Sequence, residues 1–297
     1  MKNLTLKQFR YIDALARHGH FGLAAADCAV SQPALSMQVQ EIERELGVTL
    51  FDRAPRRVRP TRVGEEVVAR ARAILRQVED LGEVARAAQG RLAGRLRLGV
   101  IPTIAPYLLP GVIRAIGAGF PGLEVALRET LTPRLVEELA EGRLDAAILA
   151  LPVGEKALTE VPLFDEDFVL IRPAAEADAP VPGPRALKEM KLLLLEEGHC
   201  FRDQALEYCT LDAARPREVM DASSLSTLVQ MVGSGMGVTL LPEMAVAVET
   251  RAAEVSVARF PRDAPSRRIG MVWRRSSPLE TQLREVAEVV RSVHGSG

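Results

Sequence analysis

The sequence is poor in thiols, aromatics and net charge. Its 297 residues include three cysteines, four histidines and one tryptophan, and aromatics make up 4%. So few thiols, in odd number, do not build a disulfide framework and argue against an oxidising compartment. Two cysteines and one neighbouring histidine, His199, fall short of the four ligands of a structural metal site, so neither a metal nor a cofactor is expected. There is no Gly-rich phosphate loop and no G-x-S-x-G elbow, and ordinary enzyme chemistry is not expected. No apolar run approaches the ~18 residues of a spanning helix. Met1-Lys2-Asn3-Leu4-Thr5 opens no apolar leader, so a cytoplasmic protein is expected.

What is present is enough chain for two or three domains. The net charge of −1 conceals an asymmetry: residues 1–62 carry ten Lys/Arg against six acids, +4, which leaves −5 for the remainder. A basic head on an acidic body points to a polyanion partner.

In the head, apolar residues at 6, 9, 12, 15 and 16 follow the helical period, with Thr5 as N-cap and Gly19 as stop. A second, alanine-rich helix is expected over 22–28, which would include Cys28 as a packing residue. A third opens on Ser31 as N-cap, carries Pro33 in its first turn and ends at Gly47. Two short helices about a tight turn make a helix-turn-helix whose second helix offers Ser31, Gln32, Pro33, Ser36, Gln38 and Gln40 to bases and phosphates of double-stranded DNA. Residues 51–62 follow, with Arg53, Arg56, Arg57, Arg59 and Arg62 against one acid. Pro55 and Pro60 would bracket the tip of a hairpin wing, and its arginines would meet phosphates or a minor groove.

Val67, Ala71, Ile74, Val78, Leu81, Ala85 and Ala88 recur at alternating steps of four and three with no proline between them. This heptad seam predicts a long helix that pairs with a second copy over 64–89. Beyond Gly90 and Gly94 strands are expected at 95–100, 123–128, 144–149, 168–171, 191–195 and 238–241, with helices at 104–117 and 133–141. That alternation implies a mostly parallel sheet covered by helices, and the proline-rich break at 173–184 suits two α/β subdomains.

Cys200 and Cys209 stand in Gly198-His199-Cys200-Phe201-Arg202-Asp203-Gln204, followed by Ala205-Leu206-Glu207-Tyr208-Cys209. A thiol where a helix begins, beside cationic groups, loses its proton more easily. Helical throughout, 200–209 would hold the two Cα atoms roughly 13–14 Å apart, too far for a disulfide unless the segment unwinds. The pair reads as a redox switch or, alternatively, as two packing residues.

Residues 1–89 resemble the head of the LysR-type transcriptional regulators through Ala24-Ala25, Val30-Ser31-Gln32-Pro33-Ala34-Leu35-Ser36, Ile42-Glu43-x-Glu45-Leu46-Gly47, Leu50-Phe51-x-Arg53 and Thr61-x-x-Gly64. Gly22 departs from that pattern, which commonly has Ser or Thr as cap of the second helix. The stretch from Ser224 to Pro242 resembles the effector domain of the same family. The resemblance implies an α/β chain: a winged helix-turn-helix at 1–62, a coiled-coil linker helix at 63–90, and a periplasmic-binding-protein-like regulatory domain at 91–297. Within the last, subdomain I would take 91–163 and 269–297, and subdomain II 164–268.

Within the family, Ile101-Pro102-Thr103-x-x-Pro106-Tyr107 and the Gly-His-Cys segment look like the OxyR hydrogen-peroxide sensors. That resemblance implies Cys200 as the thiol attacked by hydrogen peroxide and Cys209 as its disulfide partner. It also implies Thr103, Thr132 and His199 as peroxide-positioning groups, with a late arginine, Arg267 or Arg268, of which Arg268 is the residue assigned. RNA polymerase, operator DNA and a homodimer or homotetramer are the partners so implied. Helix N-capping alone would equally explain both threonines. Two other readings remain: a family member that binds a small organic effector between the subdomains, its cysteines structural; and a thiol peroxidase, against which the arginine wing and the Ser-Gln helix argue.

Overall fold

The computed structural model describes residues 4–54, 57–87, 94–187, 189–208, 221–261 and 264–295. The chain divides into a unit through Ala85 and a second from Arg86 onward.

The first unit contains α1 (Leu6–His18), α2 (Phe21–Asp27), α3 (Gln32–Leu46), the strands β1 (Phe51–Ala54) and β2 (Arg57–Pro60), and α4 (Arg62–Ala87). Local chemistry sets these boundaries. Thr5 and Gln8 cap α1 reciprocally, the Gln8 N–H donating to Thr5 Oγ1 and the Thr5 N–H to Gln8 Oε1. Ser31 Oγ accepts from the Ala34 N–H at 3.4 Å to start α3. The second helix differs from expectation: it starts at Phe21, and its cap is His20, whose Nδ1 accepts from the Gly22 and Leu23 N–H groups at 3.0 and 3.4 Å. A Cβ on residue 22 would lie 3.0 Å from the His20 ring, so the glycine and the imidazole cap belong together. Cys28 is the residue that closes α2 rather than a member of it.

Ile12, Leu15, Leu35, Val39, Ile42, Leu50 and Phe51 form the core of this unit. Glu43 Oε1 accepts from the Leu50 and Phe51 N–H groups at 2.8 and 3.2 Å, which fixes where the wing leaves α3. The wing is an antiparallel hairpin in which Phe51 faces Pro60 and Ala54 faces Arg57. Pro60 therefore sits at the end far from the tip, instead of flanking it. Gly64 in the first turn of α4 is obligatory, because a Cβ there would come within 1.9 Å of the Leu50 carbonyl oxygen. Along α4 the seam changes character: Val67 and Ala71 pack on the head core, whereas Ile74 is 38% and Leu81 68% exposed.

The second unit is a mixed sheet with two cores. Its strands are β3 (Gly94–Val100), β4 (Leu123–Glu129), β5 (Ala146–Leu151), β6 (Leu158–Pro173), β9 (Thr239–Pro242), β10 (Val255–Ala258) and β11 (Ser266–Arg274), with β7 (Leu194–Leu195) and β8 (Asp221–Ala222) as a separate pair. Only β3–β4, β3–β5 and β7–β8 are parallel among the named pairs; β11 runs antiparallel to both β5 and β6, and β6 to both β9 and β10. The expected mostly parallel sheet is thus corrected. The reason is β6, seen from the sequence only at 168–171 but in fact 16 residues long, and β11, which returns beside it.

The helices are α5 (Ala105–Gly119), α6 (Thr132–Ala140), α7 (Pro184–Leu187), α8 (Cys200–Tyr208), α9 (Leu225–Gly233), α10 (Glu243–Glu249) and α11 (Glu280–His294). The first core gathers Leu98, Ile104, Leu135, Ile148, Leu163, Met271, Trp273 and Leu283. The second gathers Phe168, Ile171, Leu195, Phe201, Leu228 and Leu240. The chain passes from one to the other within β6, between Leu163 and Phe168, so that long strand is shared by both.

Candidate functional site

The thiol of Cys200 stands where the two cores meet. Helix α8 starts on Cys200, as its position after a Gly-His step suggests. Gly198, at φ +95°, turns the chain into that helix and lies against Leu131, the residue before Thr132. Cys200 is half-buried and packs on the first core, while the next residue, Phe201, is 1% exposed in the second. Further contacts hold α8 in place. Arg202 donates to the Leu195 carbonyl at 2.8 Å and pairs with Asp221, and Tyr208 meets the edge of Phe260 at 5.6 Å.

Of the two late arginines, Arg267 is the one turned inward. Its guanidinium is fully buried and donates through Nη1 to Thr103 Oγ1 at 2.8 Å, through Nη2 to the Thr103 carbonyl at 3.1 Å, and through Nε to Glu166 Oε2 at 2.8 Å. It also lies over the rings of Phe168 and Phe201, 5.8 and 5.9 Å from their centroids. The two rings meet edge to face at 4.9 Å. Arg268, the arginine assigned from the sequence, is corrected: it faces outward and pairs with Asp165 at 2.7 Å, both side chains largely exposed. Strand alternation decides between them, because Arg267 shares its phase with the buried Ile269, Met271 and Trp273. Glu166, which the sequence did not single out, completes the arrangement; its other oxygen accepts from the Met244 N–H at 3.2 Å, at the start of α10.

Thr103 is buried, in the turn between β3 and α5. Thr132 is the first residue of α6, and Leu131 holds the cap position without a side-chain bond, so N-capping does not explain this threonine. Its hydroxyl is buried with no hydrogen-bond partner among the described residues. An orphaned polar atom of this kind costs free energy unless something binds it. His199 is buried, and burial pushes its imidazole below the usual range while the charge of Glu196 pulls it upward. The structure thus joins Thr103, Arg267 and Phe201 directly, sets Gly198 against the residue before Thr132, and leaves Arg268 on the outer face with Asp165. Cys209 lies outside the described residues.

On the head, Ser31, Gln32, Pro33 and Gln40 are exposed, and Ser36 and Gln38 partly so, with the Gln38 amide donating to Glu41 at 3.0 Å. Arg59 is exposed on β2; Arg53 and Arg57 stand on β1 and β2, and Arg56 lies outside the described residues. Cys28 packs beside the head core, its thiol pushed up by burial.

Residues 6–65 match the model of the bacterial regulatory helix-turn-helix proteins of the lysR family, and residues 89–295 that of the LysR substrate binding domain. The chain belongs to the LysR family. A probable hydrogen peroxide-inducible genes activator of Streptomyces viridosporus is 46% identical over 97% of this chain and 93% of its own. The DNA-binding transcriptional dual regulator OxyR of Escherichia coli K12 is 42% identical over 97% and 95%. Among solved structures, a full-length OxyR of Pseudomonas aeruginosa with a cysteine-to-aspartate substitution matches with a TM-score of 0.78, 39% identity, and 99% and 97% of the two chains. A peroxide-bound cysteine mutant of Corynebacterium glutamicum OxyR matches at 0.68 and 34%, over 99% and 94%. No helix among the described residues is long and apolar enough to cross a membrane.

Proposed function

We propose that this LysR-family regulator senses hydrogen peroxide through Cys200 and transmits the oxidation to its DNA-binding head. It acts as a cytoplasmic transcriptional regulator of operator DNA and not as an enzyme. The Cys200 thiolate attacks one peroxide oxygen; the O–O bond breaks, and the other oxygen leaves as hydroxide, which a proton converts to water. The sulfenic acid formed then condenses with the Cys209 thiol, closing the S–S bond and releasing a second water. Thr103, held by Arg267, and Thr132, with its unpartnered hydroxyl, supply polar contacts for the peroxide, and buried His199 flanks the sulfur.

The observation that carries this reading is the place of Cys200, on the first core while Phe201 is anchored in the second. A disulfide to Cys209 must unwind α8, because nine residues of helix span roughly 13 Å, and unwinding pulls on Phe201 and so on the junction of the cores. The relatives' names and the peroxide-bound structure support the same reading. The head binds duplex DNA through Ser31, Gln32, Pro33, Ser36 and Gln38 at base edges and Arg53, Arg56, Arg57 and Arg59 at phosphates, and RNA polymerase is the further partner at the promoter. Two copies pair through the part of the α4 seam that the head leaves exposed, Ile74 and Leu81, and two such dimers make the tetramer.

Mass spectrometry after brief, stoichiometric peroxide tests the chemistry. The wild type should carry a 200–209 disulfide, Cys209→Ser a sulfenate at Cys200 that over-oxidises, and Cys200→Ser no change in thiol state or DNA footprint. A Cys209→Ser protein whose Cys200 stays a free thiol while Cys28 oxidises would sink the proposal. For the assembly, Leu81→Asp puts an unpaired charge in the seam, and the full chain should then sediment as a smaller species, its coiled coil dissociated. A variant that sediments like the wild type at low micromolar concentration removes α4 from the interface.

A further inference from the structure

We infer that Glu166 is a positioning residue of the peroxide reaction, acting through Arg267 to make the Thr103 hydroxyl a hydrogen-bond donor towards the peroxide. The inference rests on the proposed function and adds to it how the polarity of the site is set. Arg267 and Glu166 form an ion pair whose side chains are 0% and 2% exposed, 2.7 Å apart. Glu166 is committed on both oxygens, Oε2 to Arg267 and Oε1 to the Met244 N–H. It therefore holds the guanidinium along its Nε–Nη2 edge, next to the Nη1–Nη2 edge that faces Thr103. A guanidinium donates and never accepts, so the 2.8 Å contact between Arg267 Nη1 and Thr103 Oγ1 makes this hydroxyl oxygen the acceptor. Its proton then points elsewhere, and no other hydrogen bond involves this hydroxyl among the described residues.

A donor so oriented suits the leaving oxygen of the peroxide. As Cys200 sulfur bonds to the near oxygen and the O–O bond breaks, negative charge grows on the far oxygen until it takes up a proton. A hydroxyl polarised by a buried guanidinium stabilises that charge as it develops. Without the Glu166 carboxylate, Arg267 would be a buried, uncompensated cation free to turn away from Thr103. A glutamine cannot replace it: whichever way its amide lies, an NH₂ faces either Arg267 or the Met244 N–H, and both are donors.

Two second-order rates measured on the reduced full chain test this: that of Cys200 with peroxide, and that of Cys200 with iodoacetamide, which needs the thiolate but no oxygen positioning. Glu166→Gln should lower the peroxide rate by about tenfold to a hundredfold, the range expected when a reacting geometry is lost, and leave the alkylation rate within about twofold. In a Thr103→Val background the same substitution should add little, because its effect runs through that hydroxyl. Glu166→Asp keeps the charge and should fall between, which preserves the test should the glutamine variant not fold. Equal changes in both rates, an undiminished effect in the Thr103→Val background, or wild-type peroxide rates in Glu166→Gln or Glu166→Asp would each overturn the inference. A wild-type Cys200 inert to peroxide would instead overturn the sensing function itself.

Discussion

Arg267 and Arg268 are neighbours on β11, each opposite a carboxylate of β6, Glu166 for the first and Asp165 for the second. Both make an ion pair at 2.7 Å. Their surroundings differ in every other respect. The inner pair lies between the two cores, its guanidinium over two phenylalanine rings and against Thr103; the outer pair is open to water on both sides. Chemistry and spacing being the same, the phase of the strand alone separates a buried ion pair from a solvated one. In water two such charges gain little by pairing. Between the cores neither can be left alone, because a lone buried charge carries the full desolvation penalty.

The largest effect expected from this contrast is on stability. Arg267→Ala removes one partner of the inner pair and leaves Glu166 buried and charged, which should cost about 3–5 kcal/mol. Arg268→Ala should not move the urea midpoint measurably. Parallel urea titrations of the two variants decide the matter. Equal losses, or a stable Arg267→Ala, would mean that burial on β11 does not separate the two arginines.

The same contrast explains what could be read from the sequence. Elements whose boundaries are set by neighbours along the chain were legible: Thr5, Ser31, Gly19 and Gly47 announce helix ends, and a hairpin does follow Gly47, although Pro60 lies at its open end and not at the tip. The His20 cap was missed because an imidazole acceptor is an unusual way to start a helix. Cys200 showed itself locally, as a thiol at a helix start beside His199 and Arg202; Thr103, Thr132 and the role of His199 were visible only through likeness to a family, since groups contributed from distant parts of the chain show no common local pattern. Glu166 gave no signal at all; its role depends on β6 and β11 pairing in register across about a hundred residues of chain, 101 for the contact with Arg267. Arg267 did leave a trace, its shared phase with Ile269, Met271 and Trp273, but β11 was not recognised as a strand, so that phase went unread.

The smallest effect sharpens the contrast between inside and outside for a different residue type. His199 is buried beside Cys200, whereas His294 is exposed at the end of α11, stacked on Phe164 at 3.7 Å. Burial disfavours the charged imidazole of His199 more than the Glu196 charge favours it, so its folded value lies below the usual 6.5. Between that lowered value and the ordinary one the unfolded chain binds a proton that the folded chain refuses. The contribution of His199 is therefore intact above the ordinary value. It is lost progressively as pH falls through it towards the folded one. Urea midpoints taken at about pH 5.5, 6.5 and 7.5, spanning the ordinary imidazole range, should decline on the acid side in the wild type. His199→Asn should flatten that decline. If His199→Asn keeps the full acid-side slope, the buried imidazole beside Cys200 is not what the protein loses by protonation, and the distinction between inner and outer groups stops at the arginines.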